Sequence, residues 1–227
     1  MNPNKQADRI HRLLMEYYGE PDWRPHLSPV GELVSTILSQ NTNDLNRDQA
    51  FAILRARFPT WEEVRDAPQA SLVEAIRIAG LANHKAPAIQ NALRAISEKR
   101  GKIELDFLKK MSSQEASAWL EDLKGIGPKT AAIVLLFALD MPAFPVDTHV
   151  YRVTGRLGIR PEKMTPGKAH TYLAERFPPQ SYYPVHLNLI RLGREICKAR
   201  GPDCPRCPLN SICQYYEKLS KSKSPAG

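Results

Sequence analysis

The sequence predicts an all-α protein of about ten short helices. Three observations carry that expectation. Apolar residues recur at offsets of three, four and seven along most of the chain, and prolines and glycines fall where such runs begin or end. The strongest period-two alternation, Ile103, Leu105 and Phe107, is too short to outweigh them.

Taken in order, Ile10, Leu13, Leu14 and Tyr17 give a first apolar face, and Leu33, Ile37 and Leu38 a second. Ala50, Phe51, Leu54 and Phe58 follow and stop at Pro59. Val73, Ile76, Ile78 and Ala79 end at Gly80, a residue suited to the position just past a helix. Ala88, Ile89, Ala92, Leu93 and Ile96 are closed by Gly101. Further helices are expected over Ser113–Leu123, Lys129–Leu139, Thr148–Leu157, Pro166–Phe177 and Tyr183–Cys197, with Pro128 and Pro166 in first turns. The last stretch, Lys218 to Gly227, has little to bury and reads as a frayed basic tail.

A chain of 227 residues has room for one large domain or two smaller ones. No Gly/Ser-rich linker divides it, so two lobes would require the chain to cross between them more than once. With 42% apolar residues it is neither disordered nor a membrane protein. Its longest apolar run, Ala131 to Leu139, is about half the roughly 20 residues a bilayer span needs. Met1 to Arg12 lacks the apolar core of a signal peptide, which argues against export. Lys and Arg number 32 against 24 Asp and Glu, a net charge of +8. That excess suggests a polyanionic partner without identifying one.

All four cysteines lie between Cys197 and Cys213, which favours a metal centre in a reducing compartment over a disulfide framework. Cys197, Cys204, Cys207 and Cys213 form C-x6-C-x2-C-x5-C. Only Cys204 and Cys207 make the tight pair typical of zinc ligands, and the wider outer spacings favour a [4Fe–4S] cluster. Zinc and four unligated cysteines are the remaining readings. Arg191, Arg194, Lys198, Arg200 and Arg206 around the loop face only Glu195 and Asp203, as a phosphate-tracking surface or as solvated cations.

Between two helical patterns stands Leu123-Lys124-Gly125-Ile126-Gly127-Pro128-Lys129-Thr130-Ala131. Gly125 and Gly127 permit a tight turn and close backbone approach, and amides opening the next helix can bind a phosphate without reading bases. The full string reads as the hairpin of a helix-hairpin-helix. The positive helix end at Lys129, with partial burial, would favour the neutral, nucleophilic amine. An isolated lysine there would be ordinary surface. Asp147, in Pro145-Val146-Asp147-Thr148-His149, suits an N-cap, and at a cleft it could face positive charge on a sugar or take a proton. His149 reads as a structural hydrogen-bonding residue.

In this order and at these separations, the hairpin, the Val-Asp-Thr-His segment and the cysteine loop resemble the endonuclease III family of helix-hairpin-helix DNA glycosylases, over roughly Pro25 to Cys213. The resemblance implies a two-lobed fold: residues 29–143 as a helical barrel carrying the hairpin, and 1–28 with 144–216 as a lobe holding the [4Fe–4S] cluster. Residues 217–227 would be a flexible tail. It implies a base-excision-repair glycosylase with AP lyase activity, removing damaged bases, oxidised pyrimidines by family default, from duplex DNA. Such a protein acts as a monomer in the cytoplasm, associated with the nucleoid through DNA.

Residue by residue, the resemblance makes Lys129 the Schiff-base lysine, Asp147 the catalytic aspartate, Gly125 and Gly127 the phosphate-binding glycines, and the four cysteines the cluster ligands. Glu121 falls on an acidic position lining the active-site region. Leu81, in Gly80-Leu81-Ala82-Asn83-His84-Lys85, falls on the wedge into the opposite strand. Leu38-Ser39-Gln40-Asn41-Thr42-Asn43-Asp44 departs from the family pattern, so the residue filling the vacated stack is Gln40 or Asn41. Val34, Ser35, Thr36 and Ile37 supply no carboxylate, which excludes the adenine-mismatch branch. A monofunctional mismatch or uracil glycosylase and a non-catalytic DNA-binding module are the alternatives. A redox sensor is disfavoured because it leaves the hairpin unexplained.

Overall fold

Prolines and capping side chains decide where the helices of this protein begin. In a computed structural model that describes residues 3–21 and 27–223, the chain forms twelve α-helices joined by short 3-10 turns, with no strand among the described residues. They are α1 (Pro3–Tyr18), α2 (Pro29–Ser39), α3 (Asp44–Arg57), α4 (Trp61–Asp66), α5 (Gln69–Ala75), α6 (Ala82–Arg100), α7 (Ser113–Glu121), α8 (Pro128–Ala138), α9 (Thr148–Leu157), α10 (Pro166–Ala174), α11 (Tyr182–Glu195) and α12 (Gln214–Lys223). Pro29, Pro128 and Pro166 open α2, α8 and α10, where a missing N–H costs nothing. Ser28, Asn43 and Asp147 cap α2, α3 and α9. Thr60 with Glu63 and Ser112 with Glu115 close reciprocal capping boxes on α4 and α7.

The chain divides into two compact units, residues 24–141 and residues 1–23 with 142–227. In the unit of 24–141, α2 and α8 pack together and are buried along most of their length, from Pro29 to Leu38 with Glu32 the exception, and through Thr130, Ala131, Val134, Leu135 and Leu136. Helices buried so nearly all round form the middle of a layered structure. Here α3 and α6 flank α2, α7 leans on α8, and α4 and α5 rest on α6. In the other unit, α11 packs on α9 and α1, and α12 on α9. Gly193 of α11 allows the close approach to α9, because a Cβ there would stand 2.8 Å from the Cβ of His149.

Several elements depart from the sequence pattern. The buried stripe of α1 is Ala7, Ile10 and Leu14, while Tyr17 is 48% exposed. The run expected over 73–79 is split into the end of α5 and a 3-10 turn at Arg77–Ala79, and this tighter winding rotates Ile78 outward. Cys197 lies beyond the end of α11. The expected tail is helical as far as Lys223, because Glu217 pairs with Lys221 at 2.7 Å and Tyr215 lies under the Arg156 guanidinium. The remainder of that tail, 224–227, lies outside the described residues.

Candidate active site and four-cysteine pocket

Leu123 and Ile126, both almost fully buried, anchor the hairpin between α7 and α8. The Ile126 amide donates to the Leu123 carbonyl at 2.9 Å and closes the turn. Gly125 has φ +90°, a conformation costly for any residue with a Cβ. Gly127 is different: its φ is −107°, and an added Cβ would meet no atom within 4 Å. Neither backbone conformation nor internal packing demands a glycine there. What the missing side chain preserves is open access to the chain from outside. Gly127 is also the N-cap of α8 and offers no capping side chain, so the first amides of that helix keep their donors directed outward.

Lys129 stands in the first turn of α8 with its side chain exposed, so the expected partial burial is not observed. Glu121 ends α7, exposed, and accepts a hydrogen bond from Ser117 Oγ at 2.8 Å. Gln40 and Asn41 follow α2, both exposed, with Asn41 at φ +51°. Leu81 stands at φ +50°, ahead of α6, with 52% of its surface exposed. A leucine held in a left-handed conformation and turned to solvent gains nothing from either, which marks it as a functional feature of the loop. The rest of the expected wedge stretch, Ala82 to Lys85, is the first turn of α6.

Asp147 caps α9: one oxygen accepts the Val150 amide at 2.7 Å, and the cap makes no use of the other. The strand of chain leading to it is held by two histidines that the sequence did not single out. His170 Nδ1 lies 3.1 Å from the Phe144 carbonyl, and the buried His186 Nδ1 lies 3.0 Å from the Pro145 carbonyl. His149 is structural, packed beneath Gly193 with Nδ1 3.1 Å from Arg152.

The four cysteines line one partly open pocket with Arg156, Pro202, Tyr215 and Tyr216. Among the described residues, no group of three or more His, Cys, Asp or Glu stands close enough together to hold a metal ion, so the thiols share a pocket without forming a compact single-ion tetrahedron. Burial, with the neighbouring cysteines, pushes the Cys207 thiol up to about 11 and raises those of Cys204 and Cys213. Four thiolates gathered in one apolar recess need positive charge at its centre, and this donor set suits a cationic iron–sulfur core. Helix α9 fixes the start of the loop. Arg156 donates to Cys197 Sγ at 3.3 Å and to the Lys198 and Ala199 carbonyls, and Arg152 Nε donates to the Cys197 carbonyl at 3.0 Å. Of the basic residues around the loop, Arg191 pairs with Glu195 and Arg206 with Asp203, whereas Lys198 and Arg200 project into solvent.

The model of the HhH-GPD superfamily of base excision DNA repair proteins matches residues 34–179, a span that holds the hairpin, Lys129 and Asp147. A putative DNA glycosylase of Arabidopsis thaliana is 39% identical over 187 residues, covering 78% of this chain, which spans 64% of that relative's length. The endonuclease III of Sulfolobus acidocaldarius is 35% identical over 186 residues, 81% of each chain. The structure of a trapped covalent intermediate of an endonuclease III with DNA matches with a TM-score of 0.83 and 28% identity, over 97% of this chain and 100% of that one. The chain belongs to the endonuclease III family, within the HhH-GPD superfamily of base excision DNA repair proteins.

Proposed function

We propose that this protein is a bifunctional DNA glycosylase and AP lyase that acts as a cytoplasmic monomer on duplex DNA and removes oxidised pyrimidines. The observation that carries the reading is the hairpin: an uncapped helix end, a glycine its own chain does not require, and an exposed lysine two residues on. In this reading the amides around Gly125 and Gly127 hold a phosphate. Leu81 and Gln40 or Asn41 take the space of the extruded nucleotide. Unstacking costs a few kcal/mol, less at a damaged base, which supplies part of the selectivity.

The chemistry follows from an amine and a carboxylate. Lys129 Nζ attacks C1′ of the extruded nucleotide. The C1′–N bond breaks, and its electron pair leaves with the base, which takes up a proton. The amine nitrogen's lone pair then opens the sugar at C1′–O4′ to an iminium, O4′ keeping the bond's electron pair and taking up a proton. That cation acidifies the C2′ proton; its loss forms a C2′–C3′ double bond as the C3′–O bond to the 3′ phosphate breaks. Water then releases Lys129. Asp147 is the carboxylate this reading assigns to proton transfer and to the positive charge on the sugar. Because Lys129 is exposed in the free protein, the bound nucleotide itself must exclude water around the amine.

Cys197, Cys204, Cys207 and Cys213 would hold a [4Fe–4S] cluster, which when bound ties four points of the loop to one rigid core. The chain's own contribution is to aim Lys198 and Arg200 at the phosphate backbone. Acid-labile sulfide with iron supports this assignment; zinc without sulfide overturns it.

A panel of single-lesion duplexes, assayed for nicking and for borohydride trapping, tests the enzyme reading. The wild type should nick and form a covalent adduct, and Lys129→Gln should form none. Normal trapping by that variant overturns the role of Lys129. An intact abasic site as the sole wild-type product overturns the lyase step, and binding without turnover on every lesion overturns the enzyme.

A further inference from the structure

The two loops read above as entering the DNA stack begin at element ends that meet on one buried nitrogen. Lys85 is only 2% exposed, although lysine almost never goes fully under without a partner. Its Nζ donates to the Leu38 carbonyl at 2.7 Å and to the Ala79 carbonyl at 2.7 Å. Leu38 is in the last turn of α2, two residues before Gln40. Ala79 ends the 3-10 turn two residues before Leu81. Both carbonyls lie at ends of helical segments, where chain geometry supplies no intrahelical donor, and a cation there suits the negative end of α2. Burial in this position lowers the pKa of the amine, so nothing about solvation explains a lysine there. An aliphatic residue would fill the site with less desolvation, but would leave two buried acceptors unpaired and two loops untied.

We propose that Lys85 is a positioning residue that locks the Gln40–Asn41 loop and the Leu81 loop into one rigid wedge, so that the two enter the duplex together. This rests on the reading of those loops as the elements that occupy the vacated stack. The side chains at the loop tips do little to hold them: Gln40, Asn41 and Leu81 are all exposed, and Asn41 and Leu81 both have positive φ. The shared nitrogen adds to the packing of α3 on the 3-10 turn a direct hydrogen-bonded tie between the two loop bases. Lys85 itself is covered and touches no DNA.

The test is a thermodynamic cycle between Lys85→Met and a variant lacking the inserted side chains, Gln40→Ala/Asn41→Ala/Leu81→Ala. Binding is measured to a duplex carrying an abasic-site analogue and to the same duplex undamaged, with 2-aminopurine fluorescence beside the lesion reporting unstacking. Lys85→Met should weaken analogue binding about tenfold or more, lower the 2-aminopurine signal and leave undamaged-duplex binding unchanged. In the variant without the inserted side chains, the same substitution should cost nothing further. An equal loss on both duplexes, or a full additive penalty in that background, overturns the proposal. If removing the three side chains leaves analogue binding and fluorescence unchanged, it is the wedge reading that fails. Should Lys85→Met not fold, Lys85→Gln, which keeps donors on a shorter stem, carries the same cycle with an intermediate loss; no loss with either overturns the assignment.

Discussion

Two glycines two residues apart in the chain do different work, and substitution separates them. Gly125 is required by its own backbone, at φ +90°, so Gly125→Ala should destabilise the fold by roughly 1–2 kcal/mol. Gly127 has an ordinary φ and open space around its Cβ position. Gly127→Ala should therefore change stability by no more than about 0.5 kcal/mol while weakening DNA binding, since the new methyl stands where a phosphate would approach. Chemical denaturation beside a binding titration checks both, and a stability loss at Gly127 equal to that at Gly125 would remove the case for an external ligand at that glycine. At this scale the motif residues were legible because their chemistry is written in short strings: the hairpin glycines, the lysine that follows and the capping aspartate. Lys85, His170 and His186 were not legible. Their partners are main-chain carbonyls of Leu38, Ala79, Phe144 and Pro145, distant in sequence, and a carbonyl looks the same whatever residue bears it. Only the position of Lys85 on the buried stripe Ala82, Ala86, Ile89 of α6 hints at it.

Helix α9 begins at a residue with two duties. Asp147 closes the cap through Val150, and asparagine caps a helix as well as aspartate does. Asp147→Asn should thus leave the melting temperature nearly unchanged while turnover falls about 10²–10⁴-fold. Asp147→Ala should lose turnover and in addition about 1 kcal/mol of stability. Near-wild-type turnover by the asparagine variant would reduce Asp147 to a cap alone. Helix starts such as this one could be read directly, because prolines and capping side chains act within one turn. The stretch from Gln69 to Gly80 could not. Whether it winds as an α-helix or ends in a 3-10 turn is decided by what Leu72, Ile76 and Ala79 bury against, and the same packing turned Ile78 outward. Tyr17 departs from its pattern because the next residue, Tyr18, is the one that meets α11, under the Arg191 guanidinium.

The cysteine loop is tied to the rest of its unit by Arg152 and Arg156, and otherwise has few residues to bury between 197 and 213. Cys204→Ser, or removal of bound iron by a chelator, should therefore make this loop susceptible to limited proteolysis before the helices around it melt. Cleavage patterns mapped by mass spectrometry check it; equal protection with and without iron would show that the arginines suffice. The arrangement of the whole chain also bears on how the molecule is made. One unit is assembled from both extremities of the sequence, with α1 resting on α11 and Asn188 donating to the Gly19 carbonyl at 3.1 Å. During synthesis, then, α1 leaves the ribosome long before the helix it packs on and is seated late. The inserted segment, 24–141, can finish folding while α1 still waits, its apolar stripe uncovered, for a partner some 170 residues downstream.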